Sequence, residues 1–324
     1  MILANKFFIL ILILILIIIN FFLITLGYFY LDKQKKNQIV QEDTYYLLEK
    51  NTNQKKILKQ LRLKKINIEY FDWRILSLIR ADNLIPKAGE YLIKKNSTIQ
   101  DIQDIFQNEK TIVRNFKLLE GTTSHNLRKK LLENPYLSGS IKNLKEGIYK
   151  PDTYYFKYGY SRNKLLERMR TAQNKILNNV WKNKPKDFIL KSKEELLILA
   201  SIIQKETSDE EDSKLVASVF INRLKKNMKL QSDVTLAYGF KINGQKITKN
   251  MLKSKNRYNT YYHIGLPPTA ISYPGENALK SLKYIKKTNY LYFVSNGRGG
   301  HRFSETYSSH RKNIKLWKNS TIKD

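Results

Sequence analysis

The chain has 324 residues and a net charge of +31, from 59 Lys and Arg against 28 Asp and Glu; that is room for one large domain or two ordinary ones. It has no cysteine, which excludes disulfides, iron–sulfur clusters and thiol nucleophiles, and its four histidines (His125, His263, His301, His310) lack the spacing of a zinc helix motif. The charge would suit an anionic partner such as nucleic acid, anionic lipid or an acidic polymer, but Lys, Asn and Ile are abundant everywhere, and a sequence-wide drift in composition raises the charge equally well.

Residues 7–31, FFILILILILIIINFFLITLGYFYL, carry no charge, and about 20 apolar residues suffice to cross a bilayer as a helix. The run is longer than the apolar part of a signal peptide and has no small-residue cleavage site, so it predicts an uncleaved single-pass anchor behind a short N-terminus, residues 1–6. Lys6 precedes the span, while Lys33, Lys35 and Lys36 follow it. Taken literally, the positive-inside rule puts the rest of the chain in the cytoplasm, although a lysine-rich composition blunts that rule.

Residues 32–58 are polar and read as a juxtamembrane stalk. Residues 59–118 read as a small α/β module. Helical periodicity covers 71–85, a turn and strand follow over 86–93, Ser97 and Thr98 begin an amphipathic helix, and 111–119 is strand-like. Residues 119–324 read as a larger mixed α+β domain, which makes the whole an α+β protein. A turn and helix end before Pro135, and 145–159 is a tyrosine-rich loop and strand. Helices cover 161–181, 194–206 and 214–228. Short strands alternate with loops up to 303, and 308–318 closes the chain as a helix.

The stretch LLILASIIQKETSDEED, residues 196–212, ends in five carboxylates: Glu206, Asp209, Glu210, Glu211 and Asp212. Ser208 and Glu211 have the spacing of a capping box, and Asp209, Glu210 and Glu211 then fall in a first helical turn, where the helix dipole favours negative charge. Glu206 differs, because it ends the preceding helix, which is apolar nearly all round and so should be buried. Desolvation there raises a carboxyl pKa, as a general acid working near neutral pH requires. A carboxylate merely emerging at a helix end, paired with Lys205 or an arginine, fits the same pattern.

Gln231, Ser232, Asp233 and Thr235 cluster after a helix and suit sugar hydroxyls, or simply a turn with a cap. RYNTYYHIGLPPTAISYPG, residues 257–275, puts aromatic and amide groups together, as carbohydrate clefts and ordinary core edges both do. NGRGGHRF, residues 296–303, is a glycine-rich loop between strands without the Lys-Ser/Thr of a phosphate loop or dinucleotide spacing. His301 by itself reads as structural.

In this order ASIIQKET, VASVFINRL, MKLQSDVTLAYG, YNTY, GLPPTAISYPG and YLYFVSNGRGGHRF resemble the endolytic murein transglycosylases, the YceG-like family. EGIYKPDTYYF resembles that family's EGWFWPDTY-type segment, and PKAGEY resembles a signature of its membrane-proximal LysM-like module. The resemblance runs from about residue 60 to the C-terminus. It implies a lytic transglycosylase held by one span in the inner membrane, with its catalytic domain outside the cytoplasm. Such an enzyme cuts the MurNAc–GlcNAc bond within nascent peptidoglycan strands, leaves 1,6-anhydro-MurNAc ends and so terminates glycan polymerisation.

The family's catalytic glutamate falls on Glu206, with Gln204 where many relatives carry a second acid. The candidates for lining the cleft are Gln231, Ser232, Asp233, Asn259, Thr260 and Tyr261, and Asp233 is the other acid to watch. The implied partners are glycan strands, the membrane and peptidoglycan synthases (penicillin-binding proteins). No metal, cofactor or nucleic acid is expected. The competing reading is a membrane-tethered module that binds glycan or a synthase without cutting.

Overall fold

The architecture comes from a computed structural model that describes residues 2–79, 86–242 and 246–321. The chain forms two units, Met1–Arg114 with Phe156–Tyr158, and Asn115–Tyr155 with Gly159–Asp324.

The first unit begins with helix α1, Ile2–Lys36. Its stretch Leu10–Gln34 contains an 18-residue window with a mean hydropathy of 3.1 and is long and apolar enough to cross a membrane. At about 1.5 Å per residue a 35-residue helix exceeds the roughly 30 Å of a hydrocarbon core. The helix continues through Lys33 and Lys36 because lysine and glutamine, though polar, are good helix formers. Strand β1 (Thr44–Leu48), helices α2 (Gln54–Leu63) and α3 (Tyr70–Ile79), strand β2 (Gly89–Ile93) and helix α4 (Ile99–Gln107) follow. β1 and β2 pair antiparallel, Thr44 opposite Ile93 and Leu48 opposite Gly89.

The stalk expectation for 32–58 differs from this arrangement. Val40, Tyr46, Leu48, Ile57 and Leu58 are all buried in the unit's core. The apolar run TYYLL supplies one face of a strand, and the polar residues around it face water. The helix expected over 71–85 appears as α3, and residues 80–85 lie outside the described residues. α4 starts at Thr98, within the Ser/Thr start expected of it, and Asp101 completes a capping box. Its buried face carries Phe106, whose ring meets Tyr91 at 4.9 Å, Tyr46 at 5.6 Å and Trp73 at 6.4 Å between centroids. Gln103, fully buried on the same face, donates to the Trp73 carbonyl at 3.0 Å. Strand β3, Val113–Lys117, pairs with β5, Thr153–Lys157.

The second unit continues with α5 (Ser124–Glu133), the short parallel pair β4 (Leu137–Ser138) and β6 (Tyr160–Ser161), and α6 (Arg162–Lys182). α7 (Lys193–Glu206), α8 (Glu210–Lys225), α9 (Asp233–Gly239), α10 (Lys249–Lys253) and α11 (Glu276–Ser281) follow. The hairpin β7 (Tyr292–Ser295) and β8 (His301–Ser304) precedes the closing helix α12 (Tyr307–Thr321). α7 is the hub, with α6, α8, α9 and α11 all packing on it. Leu196, Leu197, Ala200, Ser201, Ile202 and Ile203 are buried round most of its circumference, which is why its sequence shows no polar stripe.

The start of α8 differs from its expected capping box. The N-cap is Asp209, whose side chain accepts the Asp212 N–H at 2.8 Å. The helix begins one residue later than a Ser208 cap requires, so Glu211 is free to pair with Lys214 at 2.5 Å and Lys286 at 2.7 Å.

Phe106→Ala should destabilise the first unit by about 3–5 kcal/mol, the usual cost of truncating a buried aromatic. Denaturant unfolding followed through the fluorescence of Trp73 measures it, and a loss below about 1 kcal/mol would contradict this packing.

Candidate active site

α7 starts at Ser192, whose hydroxyl caps Glu195 N–H at 3.1 Å, and ends at Glu206. The chain leaves the helix at Thr207 in extended conformation, and this puts the Glu206 carboxyl at the mouth of the buried helix rather than along its side. Its Oε1 accepts a hydrogen bond from the Ser232 hydroxyl at 2.5 Å. Burial raises the Glu206 pKa, the Ser232 bond and the charge of His301 work against that, and Asp233 adds to it. Among the described residues neither Lys205 nor an arginine forms an ion pair with the carboxyl.

Ser232 is itself held from several directions. Its N–H donates to Thr260 Oγ1 at 3.0 Å, and its carbonyl accepts from the Thr235 hydroxyl at 2.8 Å. The Thr235 and Thr260 hydroxyls lie 2.9 Å apart. Just before it Gln231 takes a positive φ of 51°. The Gln231 N–H donates to the Thr260 carbonyl at 3.1 Å, and Arg223 reaches the carbonyl of Leu230 at 2.7 Å.

The six candidates from the sequence therefore divide. Ser232 touches the acid. Gln231 and Asp233 flank it and are exposed. The Tyr261 hydroxyl donates to Asp233 Oδ1 at 2.5 Å, and burial followed by that bond raises the tyrosine's pKa. Asn259 and Thr260 face inward, 0% and 2% exposed. The Asn259 amide bonds the carbonyls of Leu252 and Ser254 at 3.0 and 2.7 Å, so it clamps its own loop, while Thr260 positions Ser232.

Gln204 also turns away from Glu206, its Oε1 accepting the Gly275 N–H at 2.8 Å. Gly275 is where the loop 271–275 meets Glu120, and a Cβ there would lie 1.8 Å from Glu120 Oε1. Position 204 thus ties this loop to α7. Ser201 ties the same loop one turn earlier, its hydroxyl accepting the Ile271 N–H at 3.0 Å.

Two features lay outside the sequence reading. Asp212 Oδ2 lies 2.6 Å from His301 Nδ1 and Asp212 Oδ1 accepts the His301 N–H at 3.2 Å. Asp212 shares the buried face of α8 with Val216, Val219 and Arg223, a helical spacing that separates it from the outward Glu210 and Glu211. The second is a cavity of about 800 Å³ lined by Ser124, Glu146, Lys205, Val234, Tyr238 and Tyr258 among others. Lys205 and Val234 are the chain neighbours of Glu206 and Asp233. Glu146 accepts from Ser124 N–H at 2.9 Å and hydroxyl at 2.8 Å and from the Tyr238 hydroxyl at 3.1 Å, and burial raises its pKa. Among the described residues no three of His, Asp and Glu come together as a metal would need.

The chain resembles known proteins in sequence and in fold. The sequence model of the YceG-like family matches residues 46–316. The endolytic murein transglycosylase of Bacillus subtilis is 31% identical over 200 residues, 60% of this chain and 55% of that protein. The one from Streptococcus pneumoniae serotype 2 is 32% identical over 184 residues, 55% of this chain and 33% of that protein. The aligned part thus spans between a third and just over half of these relatives' length. The crystal structure of a yceG-like protein from Listeria monocytogenes superposes with a TM-score of 0.53 at 27% identity, over 84% of this chain and 99% of that one.

The raised proton affinity of Glu206 has a consequence for stability. A carboxyl that holds its proton more tightly folded than unfolded stabilises the fold only while protonated. Stability should therefore fall as pH rises from the ordinary glutamate value of 4.5 through the raised folded value. Glu206→Gln, which keeps an acceptor for Ser232, should melt with the wild type below pH 4.5 and at a higher temperature than the wild type at pH 7. Calorimetry across pH tests this, and a less stable Glu206→Gln at pH 7 would mean that the carboxylate is favourably held.

Proposed function

We propose that this chain, which belongs to the YceG-like family, is a membrane-anchored endolytic murein lytic transglycosylase with Glu206 as its catalytic acid and base. The observation that carries the reading is the Glu206 carboxyl at the mouth of a buried helix, bonded to one neutral hydroxyl and biased by burial towards keeping its proton. The curated relatives named endolytic murein transglycosylase support the substrate class.

The reaction needs one such group. Glu206 donates its proton to the glycosidic oxygen, and the C1–O bond breaks with positive charge developing at C1. The C6 hydroxyl of the same sugar attacks C1, and its proton passes to the Glu206 carboxylate, which restores the starting state. No water is consumed, and the product carries a 1,6-anhydro ring. Because the nucleophile is intramolecular, proximity supplies much of the rate advantage. A two-carboxylate hydrolase instead needs a second group to activate water or attack C1. Asp233 is the nearby acid, and its bond from Tyr261 fits an orienting role. Gln231, Ser232, Asp233 and Tyr261 would face the sugar at the cleaved bond, with Asn259 and Thr260 supporting them from behind. The cavity between Glu146, Tyr238 and Tyr258 would take neighbouring sugars, with aromatic faces for the rings and polar groups for the hydroxyls.

α1 would be an uncleaved anchor, not a removed signal. The end of the helix is built into the folded unit, with the Tyr30 hydroxyl bonding Asp72 Oδ1 at 2.7 Å and Gln34 buried. The substrate then requires the rest of the chain to lie outside the cytoplasm. The order β1–α2–α3–β2 with its antiparallel strand pair supports the reading of the first unit as a LysM-like, glycan-binding module. Peptidoglycan synthases would be neighbours, since nascent strands emerge from them, and cleavage there would end polymerisation.

Wild-type protein incubated with uncrosslinked glycan strands should release anhydro-ended fragments by mass spectrometry. Glu206→Gln should cut about 10²–10⁴-fold more slowly, the usual loss when a general acid is removed. Reducing ends in place of anhydro ends would make the enzyme a hydrolase, and glycan binding without cleavage would make it a docking module. A reporter fused to the C-terminus should be active only when read outside the cytoplasm, and a purely cytoplasmic signal would sink the proposed substrate.

A further inference from the structure

A helix at the surface of a soluble domain turns its apolar residues inward and presents a polar face to water. α3, YFDWRILSLI, does the first and not the second. Trp73, Leu76 and Ser77 are buried. On the opposite side Phe71 is 67% exposed and Leu78 66%, with exposed Arg74 and half-buried Ile75 between them. Positions 71, 74, 75 and 78 share one helical face, so they form a stripe and not a scatter of single apolar groups. We propose that this stripe rests on the surface of the bilayer that α1 crosses and gives the first unit a second attachment to it. The proposal rests on the reading of α1 as an uncleaved anchor.

α1 is what places the stripe beside a bilayer. Its large apolar side chains are exposed from Leu10 to Phe29. At about 1.5 Å per residue that stretch rises about 30 Å, the thickness of a hydrocarbon core. The helix then meets protein within a few residues, for Leu31 packs on the core of the first unit and Gln34 is buried. Tyr28 and Tyr30 stand at this boundary, where tyrosine is favoured because its ring is apolar and its hydroxyl seeks water. The Tyr30 hydroxyl bonds Asp72 Oδ1 at 2.7 Å, and Asp72 is in the first turn of α3. The start of α3 is thereby tied to α1 at the level where the span ends.

Helical spacing carries this further. Asp72 falls between the core side of α3, Trp73 and Leu76, and the outer stripe that Phe71 begins. α3 thus has α1 at its flank, the core behind it and the stripe turned away from the core. In the proposed arrangement the core lies beyond the end of the span, and the stripe lies on the lipid side of it. One attachment through α1 leaves a unit free to lean over the membrane, and a second through α3 fixes its lean.

The chemistry of the stripe fits a lipid interface. A helix lying there sinks its apolar face about 5–10 Å into the boundary between headgroups and acyl chains. Phe71, Ile75 and Leu78 supply that face. Arg74 can keep its stem among apolar groups while its guanidinium reaches the phosphates. Lys55, whose ammonium lies 5.5 Å from the centre of the Tyr70 ring, and the exposed Lys33 and Lys36 at the end of α1 add positive charge nearby, which anionic headgroups favour.

The chain has no cysteine, so single cysteines can each carry one fluorophore. Labels at Leu16→Cys, Phe71→Cys and Leu78→Cys are placed in the full chain, one chain to a nanodisc of phosphatidylcholine and phosphatidylglycerol. Each is read against nitroxide-bearing lipids and against iodide in the water. Leu16→Cys should lose fluorescence to a nitroxide deep in the acyl chains, which checks the anchor. Phe71→Cys and Leu78→Cys should lose it to a nitroxide near the headgroups and be protected from iodide. Arg74→Cys, at an exposed position of the same stripe, should read the same way and replaces either of them that fails to fold. Stripe labels open to iodide, with Leu16→Cys still quenched by lipid, would overturn the inference and leave the anchor standing. Stripe labels shielded from both quenchers would mean that protein covers them, and would overturn it too. A Leu16→Cys label that no lipid quenches would overturn the anchor reading, and the inference with it.

Discussion

A carboxyl group placed at the end of a helix that is apolar on every side needs a partner, and the second unit is arranged around supplying one. The partner is a neutral hydroxyl. Ser232 can bond the carboxyl in either protonation state, whereas a lysine or arginine would lock it as the anion. Choosing so weak a partner requires that it be held firmly, and Thr235 and Thr260 spend their own hydrogen-bonding capacity on that task, while Asn259 clamps the loop that carries Thr260. The buried polar groups behind the acid form a scaffold that fixes one oxygen atom, in the manner of the supporting shell that any precise site needs.

The loop 271–275 plays the corresponding part on the other side of α7. Ser201 and Gln204, one turn apart, hold it by backbone N–H groups, and Gly275 lets Glu120 approach where any side chain would collide. Position 204 is therefore a latch between helix and loop. An amide serves there as well as an acid does, since the bond needs only an acceptor oxygen.

The most readable part of the sequence was what depends on period. The apolar span, the amphipathic α4 with its Ser/Thr start and the all-round hydrophobicity of α7 each follow from regular spacing and were placed within a few residues. Glu206 was singled out by the same logic, as a charged residue at the end of a buried run. The strand at 44–48 was hidden because polar neighbours dominate its window. The start of α8 was misplaced because three acids and a serine offer competing caps. Asn259 and Thr260 lie in a loop, where no period distinguishes inward from outward, so composition suggested a cleft surface and folding turned them inside. The pairing of Asp212 with His301 joins residues far apart in the chain, and only tertiary structure brings them together.

The passage from α1 into the first unit leaves almost no slack. Asn37 N–H still bonds the Lys33 carbonyl, Ile39 N–H bonds the Ser97 carbonyl, and Val40 is already in the core. A chain anchored through such a junction has no flexible leash. With α1 as the proposed anchor, the small unit would travel with the helix in the plane of a bilayer, and an encounter with the proposed polymer would become a two-dimensional search. Reach would be traded for residence near the surface, and a longer leash would dilute the module into a larger volume.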